Sequence, residues 1–377
     1  MSVQKVSKMM IESLSSSKLT GALPAVDGSA LLNVPSFTKS ASDPAIDSNP
    51  SSGLGTVWVN TTSGEMFSLT DATTDANVWT NIGGGSGDIQ KFDYRGESFG
   101  YNSGGYRSGY SNIIDKQSFT SDGNATDVAD LSQGRQSPAG THSSTHSYAM
   151  GGLTPSQVDT IDKFPFASET DATDVGNLSV AKAQAAGQSN DTYIYCSGGY
   201  NGPSTELTHV EKRATSSDGD MTNVLSLTVA RRPTAEASSE TEGFNAGGEG
   251  DGAANVTVDK FSFANDNDAT DHGDLLFTHA DASGGQSDTH GFSAGGHTVR
   301  TIQRYAFSSN TTATDWGDLL NNNSAVASGT SSLSHVYMAG GAPSVNVIQK
   351  YATSTPSNAT DVGDLTSGGY NSASSQI

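Results

Sequence analysis

Acidic and basic side chains crowd one stretch of a chain in which only 16% of residues are charged. Arg231, Arg232, Glu236, Glu240, Glu242 and Glu249 follow one another closely there. Two carboxylates flanking a glycosidic bond can hydrolyse it, one as acid and the other as nucleophile or base. Nothing in the spacing sets their separation, so a solvated charged rim is the plainer reading. Histidines four apart, as His142 and His146 are, can ligate zinc if they share a helix face. The pairs Asp127/Asp130, Asp271/Asp274 and Asp361/Asp364 offer oxygens of the kind calcium takes. Neither a full calcium-loop pattern nor a third convergent carboxylate accompanies them, so no metal and no cofactor are expected. Tyr106, Tyr110 and Tyr200 stand beside Gly-Gly pairs, where an aromatic face can stack on a sugar ring. The single cysteine, Cys196, excludes an internal disulfide and reads as a small buried thiol.

The elements that must position these residues come from a repeat. Gly-Gly pairs begin at Gly104, Gly151, Gly198, Gly247, Gly295 and Gly340, spaced 47, 47, 49, 48 and 45 residues. Ala-Thr-Asp recurs at a fixed phase from Ala125, Ala172, Ala269, Ala313 and Ala359, with Met221-Thr222-Asn223 in the remaining copy. One copy contains four strand-sized runs: Tyr148 to Gly152, Val158 to Phe166, Asp174 to Leu178 and Ala183 to Gly187. Four strands per copy is the blade of a β-propeller, which buries its apolar face only when stacked on the next blade. The expected fold is therefore all-β, with a six-bladed β-propeller over 92–377. At its ends, Glu97 to Gly105 is a second strand with no first before it. Ser372 to Ile377 is a first strand with no second after it, so the two are expected to complete one blade.

Repetition also sorts scaffold from site. Gly-Gly pairs permit positive φ and close approach, and Asp side chains can bond nearby backbone amides. His146, His290 and His335 each stand five residues before their Gly pair, which places them in strands and favours a local hydrogen bond over zinc. The irregular copy around Arg231 and the three tyrosines are the candidates for binding.

Composition narrows the function further. A net charge of −21 disfavours contact with nucleic acid phosphates. No run approaches the ~20 apolar residues that span a bilayer, so no membrane insertion is expected. Lys5 and Lys8 are followed by no apolar run, which does not fit a signal peptide. Val3, Val6, Met10 and Leu14 suit a short amphipathic helix, and Pro35 to Gly53 reads as an extended linker within an N-terminal segment, 1–53. From Gly55, the runs Thr56 to Asn60, Met66 to Leu69 and Val78 to Ile82 suggest a small β-hairpin module over 54–91, with Trp58, Phe67 and Trp79 as its apolar cluster.

Two resemblances carry the reading beyond the residues. The double Gly, the aromatic pairs Phe164/Phe166, Phe261/Phe263 and Tyr305/Phe307, and the following leucine resemble the kelch repeat across 92–377. Here Ala-Thr-Asp followed by Val, His272 or Trp316 replaces the kelch tryptophan, making this a kelch-like relative. Thr20 to Leu31, Gly55 to Glu65 and Trp79 to Gly83 are similar to segments near the N-termini of tail fibres and other appendages of tailed bacteriophages, cyanophages especially. That similarity covers about 60 residues. It implies a virion structural protein, not an enzyme, whose residues 1–90 attach to other virion proteins. The propeller would be displayed for binding a host-surface glycan or receptor, and oligomerisation, as a trimer in many fibres, is implied as well. A capsid or tail decoration protein, or a polysaccharide depolymerase, are the alternatives.

Overall fold

The computed structural model describes residues 37–82, 89 and 92–377, apart from 203–204, 233, 251–252, 297–298 and 321–327. The expected helix between Val3 and Leu14 lies outside these residues. Among those described there is no helix, and the chain divides into two compact units between Lys91 and Phe92.

The first unit is one four-stranded sheet. Val57–Asn60, Met66–Asp71 and Val78–Asn81 form its antiparallel part. The stretch expected to be a linker supplies the remaining strand, Phe37–Ser40, which pairs parallel with Val57–Asn60. Polar side chains pin the segment after this strand. Asn77 donates to the carbonyls of Ile46 and Ser48, and Asn60 donates to Asp43. Side-chain amides here satisfy a backbone that would otherwise stay hydrated. Phe67, Leu69 and Trp79 are buried, with Trp58 edge-on to Trp79 at 5.7 Å.

The second unit contains six four-stranded antiparallel sheets, numbered I to VI. Sheet I takes its first strand from the C-terminus, Ala373–Gln376, then Phe99–Ser103, Ile113–Ser118 and Thr126–Asp130. Sheet II is Ala139–His142, His146–Met150, Thr160–Pro165 and Thr173–Asn177. Sheet III is Ala186–Ser189, Tyr193–Ser197, His209–Ala214 and Thr222–Ser226. Sheet IV is Ala235–Ser238, Glu242–Ala246, Thr257–Ser262 and Thr270–Asp274. Sheet V is Ser283–Gln286, His290–Ala294, Thr301–Ala306 and Thr314–Asp318. Sheet VI is Ser328–Ser331, His335–Ala339, Val347–Ala352 and Thr360–Asp364. In sheet I the register pairs Ala373 with Ser103 and Gln376 with Gly100, joining the two ends of the unit.

The sheets pack face to face in chain order. First strands touch from I to II and onward to VI, and that of VI touches that of I. Apolar side chains are shared between successive sheets, and this lets a chain with 33% apolar residues form a core: it needs six small clusters rather than one large one. The aromatic pairs make these joints. Phe166 stacks on Tyr101 at 5.0 Å, Phe263 on Tyr195 at 4.9 Å and Phe307 on Phe244 at 4.5 Å. Phe119 of sheet I stacks in the same way on Tyr337 of sheet VI at 4.8 Å. Such pairs add about 0.5–1.5 kcal/mol each beyond the area they bury.

First strands carry small and polar residues because their backbones crowd together. A Cβ on Gly187 would stand 2.0 Å from the Gly140 carbonyl oxygen, and one on Gly284 would stand 1.9 Å from that of Glu236. The Gly-Gly pairs do a different job. Gly104 and Gly105 have φ of 71° and 97°, and the Gly105 amide donates to the Arg135 carbonyl at 2.9 Å. Gly152, Gly199 and Gly248 make the same bond to Lys182, Arg231 and His279. The Thr-Asp pairs lie inside the fourth strands, beside a register shift, where Asp174, Asp271, Asp315 and Asp361 each accept from the amide of the glycine two residues on.

Candidate functional site

The carbonyls held by Gly-Gly belong to residues whose side chains lock one sheet to the next. Arg135, between sheets I and II, pairs with Asp162 of sheet II at 3.0 Å, both side chains fully buried. Lys182 pairs with Glu211 of sheet III at 3.3 Å, and Arg231 pairs with Asp259 of sheet IV. The hydroxyls of Ser132 and Thr228 donate to Asp162 and Asp259 respectively. Sheet VI meets sheet I by the same device with one substitution. Thr366 donates to Asp115, but Gly369 stands at the cation's place and Arg107 pairs with Asp115 instead, at 2.7 Å. A Cβ on Gly369 would sit 2.7 Å from Cγ of Arg107, so the glycine makes room for the borrowed cation. At sheet V the pair is replaced by His279 and Gln303. His279 shares a hydrogen with Ser293, and Gln303 accepts from the Leu276 amide. Burial pushes His279 down to about 4, so it is neutral.

This scaffold corrects the expectation for the charged stretch. Arg231 is not on a solvated rim and cannot reach a ligand, because it is fully buried against Asp259 and the carbonyls of Gly247 and Thr257. Glu236, Glu240 and Glu242 do not share one site. Glu242 pairs with Lys260 at 3.0 Å, while Glu240 lies in the turn after the first strand of sheet IV, where its charge acts on Tyr94. Glu236, the second residue of that first strand, lines the space between the six first strands.

That space is a cavity of about 60 Å³ continued by a deeper one of about 30 Å³. At one end it opens between Ser137, Gln184, Ala282 and Asn371. Ser137, Gln184, Asp281 and Asn371 all adopt left-handed backbone, with φ of 57°, 52°, 58° and 61°. The Ser137 amide bonds the Asn371 carbonyl and the Gln184 amide bonds the Ser137 carbonyl, running part way round the mouth. At the other end Gln286 and Gln376 both donate to the Tyr94 carbonyl, at 2.8 and 2.7 Å, and the Gly96 amide bonds Ser331. Residues Phe92 to Gly96 thus cross that end.

The tyrosines gather on the open side, in two groups flanking the mouth. Tyr106 bridges Tyr370, the neighbour of Asn371, with rings 5.5 Å apart, and is edge-on to Tyr110 at 6.1 Å. Tyr110 is 40% exposed. Tyr200 bridges Ala183, the neighbour of Gln184, and lies under the Arg232 guanidinium at 4.1 Å. Arg232 also donates to Glu206 at 3.2 Å and to Gln184 at 2.8 Å. The mouth therefore combines one exposed and three half-buried tyrosine rings with amide, carboxylate and guanidinium groups, the chemistry that grips hydroxyl-rich rings.

The other candidates fall to the scaffold. His142 and His146 lie on the two strands of a hairpin, not along a helix, and His142 stands opposite Ser147. His142 is buried against Phe92, with its pKa pushed down to about 4 by burial. Nδ1 of His146, His290 and His335 shares a hydrogen with the preceding hydroxyl at 2.8 Å in each case. Among the described residues no three acids, histidines or cysteines stand together as metal ligands. Burial raises the Cys196 thiol to about 11, so it is unreactive at neutral pH. The inter-sheet locks went unread in the sequence, although their phase was available: a cation or histidine lies four residues after Leu131, Leu178, Leu227 and Leu275. No family model matches the chain, and no curated protein matches it.

Proposed function

We propose that residues 92–377 form a six-bladed, kelch-like β-propeller whose open face binds a host-surface glycan, within a structural appendage protein of a tailed phage. The cyclic packing of the first strands, with sheet VI against sheet I, supports the ring. The binding reading rests on one observation: Tyr106, Tyr110 and Tyr370 on one side of the mouth and Tyr200, Arg232 and Glu206 on the other. Loops on a rigid ring present such groups without having to order first. The likeness of the N-terminal segments to phage appendage proteins supplies the virion setting, in which residues 1–90 attach to the particle and the fibre trimerises. The net charge of −21 over the whole chain disfavours nucleic acid as the partner. A glycan array probed with the full chain, and adsorption of phage lacking residues 97–377, test the proposal. Binding to envelope polysaccharide together with failed adsorption is expected. Normal adsorption of the deleted phage would leave a decoration role, and cleavage of the bound polymer would favour the depolymerase.

A further inference from the structure

We propose that the cavity between the first strands is a binding site for one monovalent hard cation, sodium or potassium, held by the Glu236 carboxylate and backbone oxygens of neighbouring first strands. The second position of these strands is Gly140, Gly187, Gly284 or Gly329 in four sheets and Ser374 in sheet I. Only sheet IV places a charged side chain there. Among the described residues no cation pairs with Glu236, whose side chain is part-buried on the cavity wall, whereas the acids buried between sheets, Asp115, Asp162, Glu211 and Asp259, each have such a partner. A carboxylate confined in a narrow cavity with no cation beside it is partly desolvated, and a counter-ion offsets that cost.

The surroundings suit a small cation. The Gly140, Glu236 and Gly284 carbonyl oxygens lie on the inner edges of their strands, each where a Cβ on the following sheet's glycine would come within 2.0 Å. These are hard oxygen donors. The cavities, about 60 and 30 Å³, hold a few water-sized bodies and no sugar ring. Tyr94 covers the far end, so a bound ion enters and leaves only by the mouth. One carboxylate balances one positive charge, whereas calcium sites gather six to eight oxygens, several of them carboxylate. The other titratable group lining the cavity, His142, is neutral.

Two measurements test the site independently of glycan binding. Crystals of the full chain transferred into a thallium(I) salt should show an anomalous peak in direct contact with the Glu236 carboxylate. Melting should be compared in sodium, potassium and choline chloride at equal ionic strength. The wild type is expected to gain about 2–4 °C in sodium or potassium over choline. Glu236→Gly, which installs the residue of four sister strands, and Glu236→Gln should lose that gain. An empty cavity in the thallium map, an equal gain in both variants, or a gain with calcium alone would overturn the assignment.

Discussion

Arg135, Lys182 and Arg231 are fully buried cations, and each is placed so that its side chain crosses from one sheet to an acid on the next. Removing one partner leaves the other charge buried and unpaired, at a cost of about 3–5 kcal/mol, whereas replacing both with apolar groups is often nearly neutral. Asp259→Ala is therefore expected to lower stability by that amount in denaturant unfolding, and Arg231→Met combined with Asp259→Leu to lower it less. Equal losses would mean that the pair contributes more than its own neutralisation. His279 takes the same place without charge, and its folded pKa, about 4, lies below the ordinary 6.5. A depressed histidine binds its proton more tightly unfolded, so its contribution is full above pH 6.5 and is lost as pH falls towards 4. His279→Asn should then lose less stability than wild type between pH 7 and 4, by up to about 3 kcal/mol. Parallel pH profiles for the two proteins would contradict this.

At the scale of strands, the inner position is governed by backbone crowding and the outer by turn chemistry. Gly187→Ala puts a methyl 2.0 Å from the Gly140 carbonyl, while Gly109→Ala meets nothing within 4 Å. The first should lower the melting temperature by several degrees or prevent folding, and the second should leave it unchanged or slightly raised. Similar melting of both would show that the first strands are more loosely packed than described. The strand repeat was legible because Gly-Gly, the aromatic pairs and Thr-Asp recur at fixed phase and each has a local backbone reason. Partners brought together only by stacking were not legible. Arg231 and Asp259 are 28 residues apart and on different elements, so a cluster of charges in sequence read as a surface rim. Phe37–Ser40 was hidden for a related reason: a strand paired in parallel with Val57–Asn60 across a long connection has no hairpin signal of its own.

Across the whole second unit, sheet VI joins sheet I with the same stacking and the same hydroxyl-to-acid bond as the joints I to II and III to IV, and Ala373–Gln376 completes sheet I. An open array of repeats can fray from its ends, whereas a ring held at every joint unfolds as a unit. Deleting residues 372–377 is expected to replace one cooperative melt with a broad, lower one, and a sharp melt at the original temperature would argue against closure. The functional claim concerns the face where the cavity opens, and its most direct test is the affinity of the full chain for envelope polysaccharide of the host. Tyr110→Ser, Tyr200→Ser and Arg232→Ser, combined in one variant with an unchanged circular dichroism spectrum, should weaken that affinity at least about tenfold. Undiminished binding by this variant would contradict the assignment of the mouth as the receptor-binding surface.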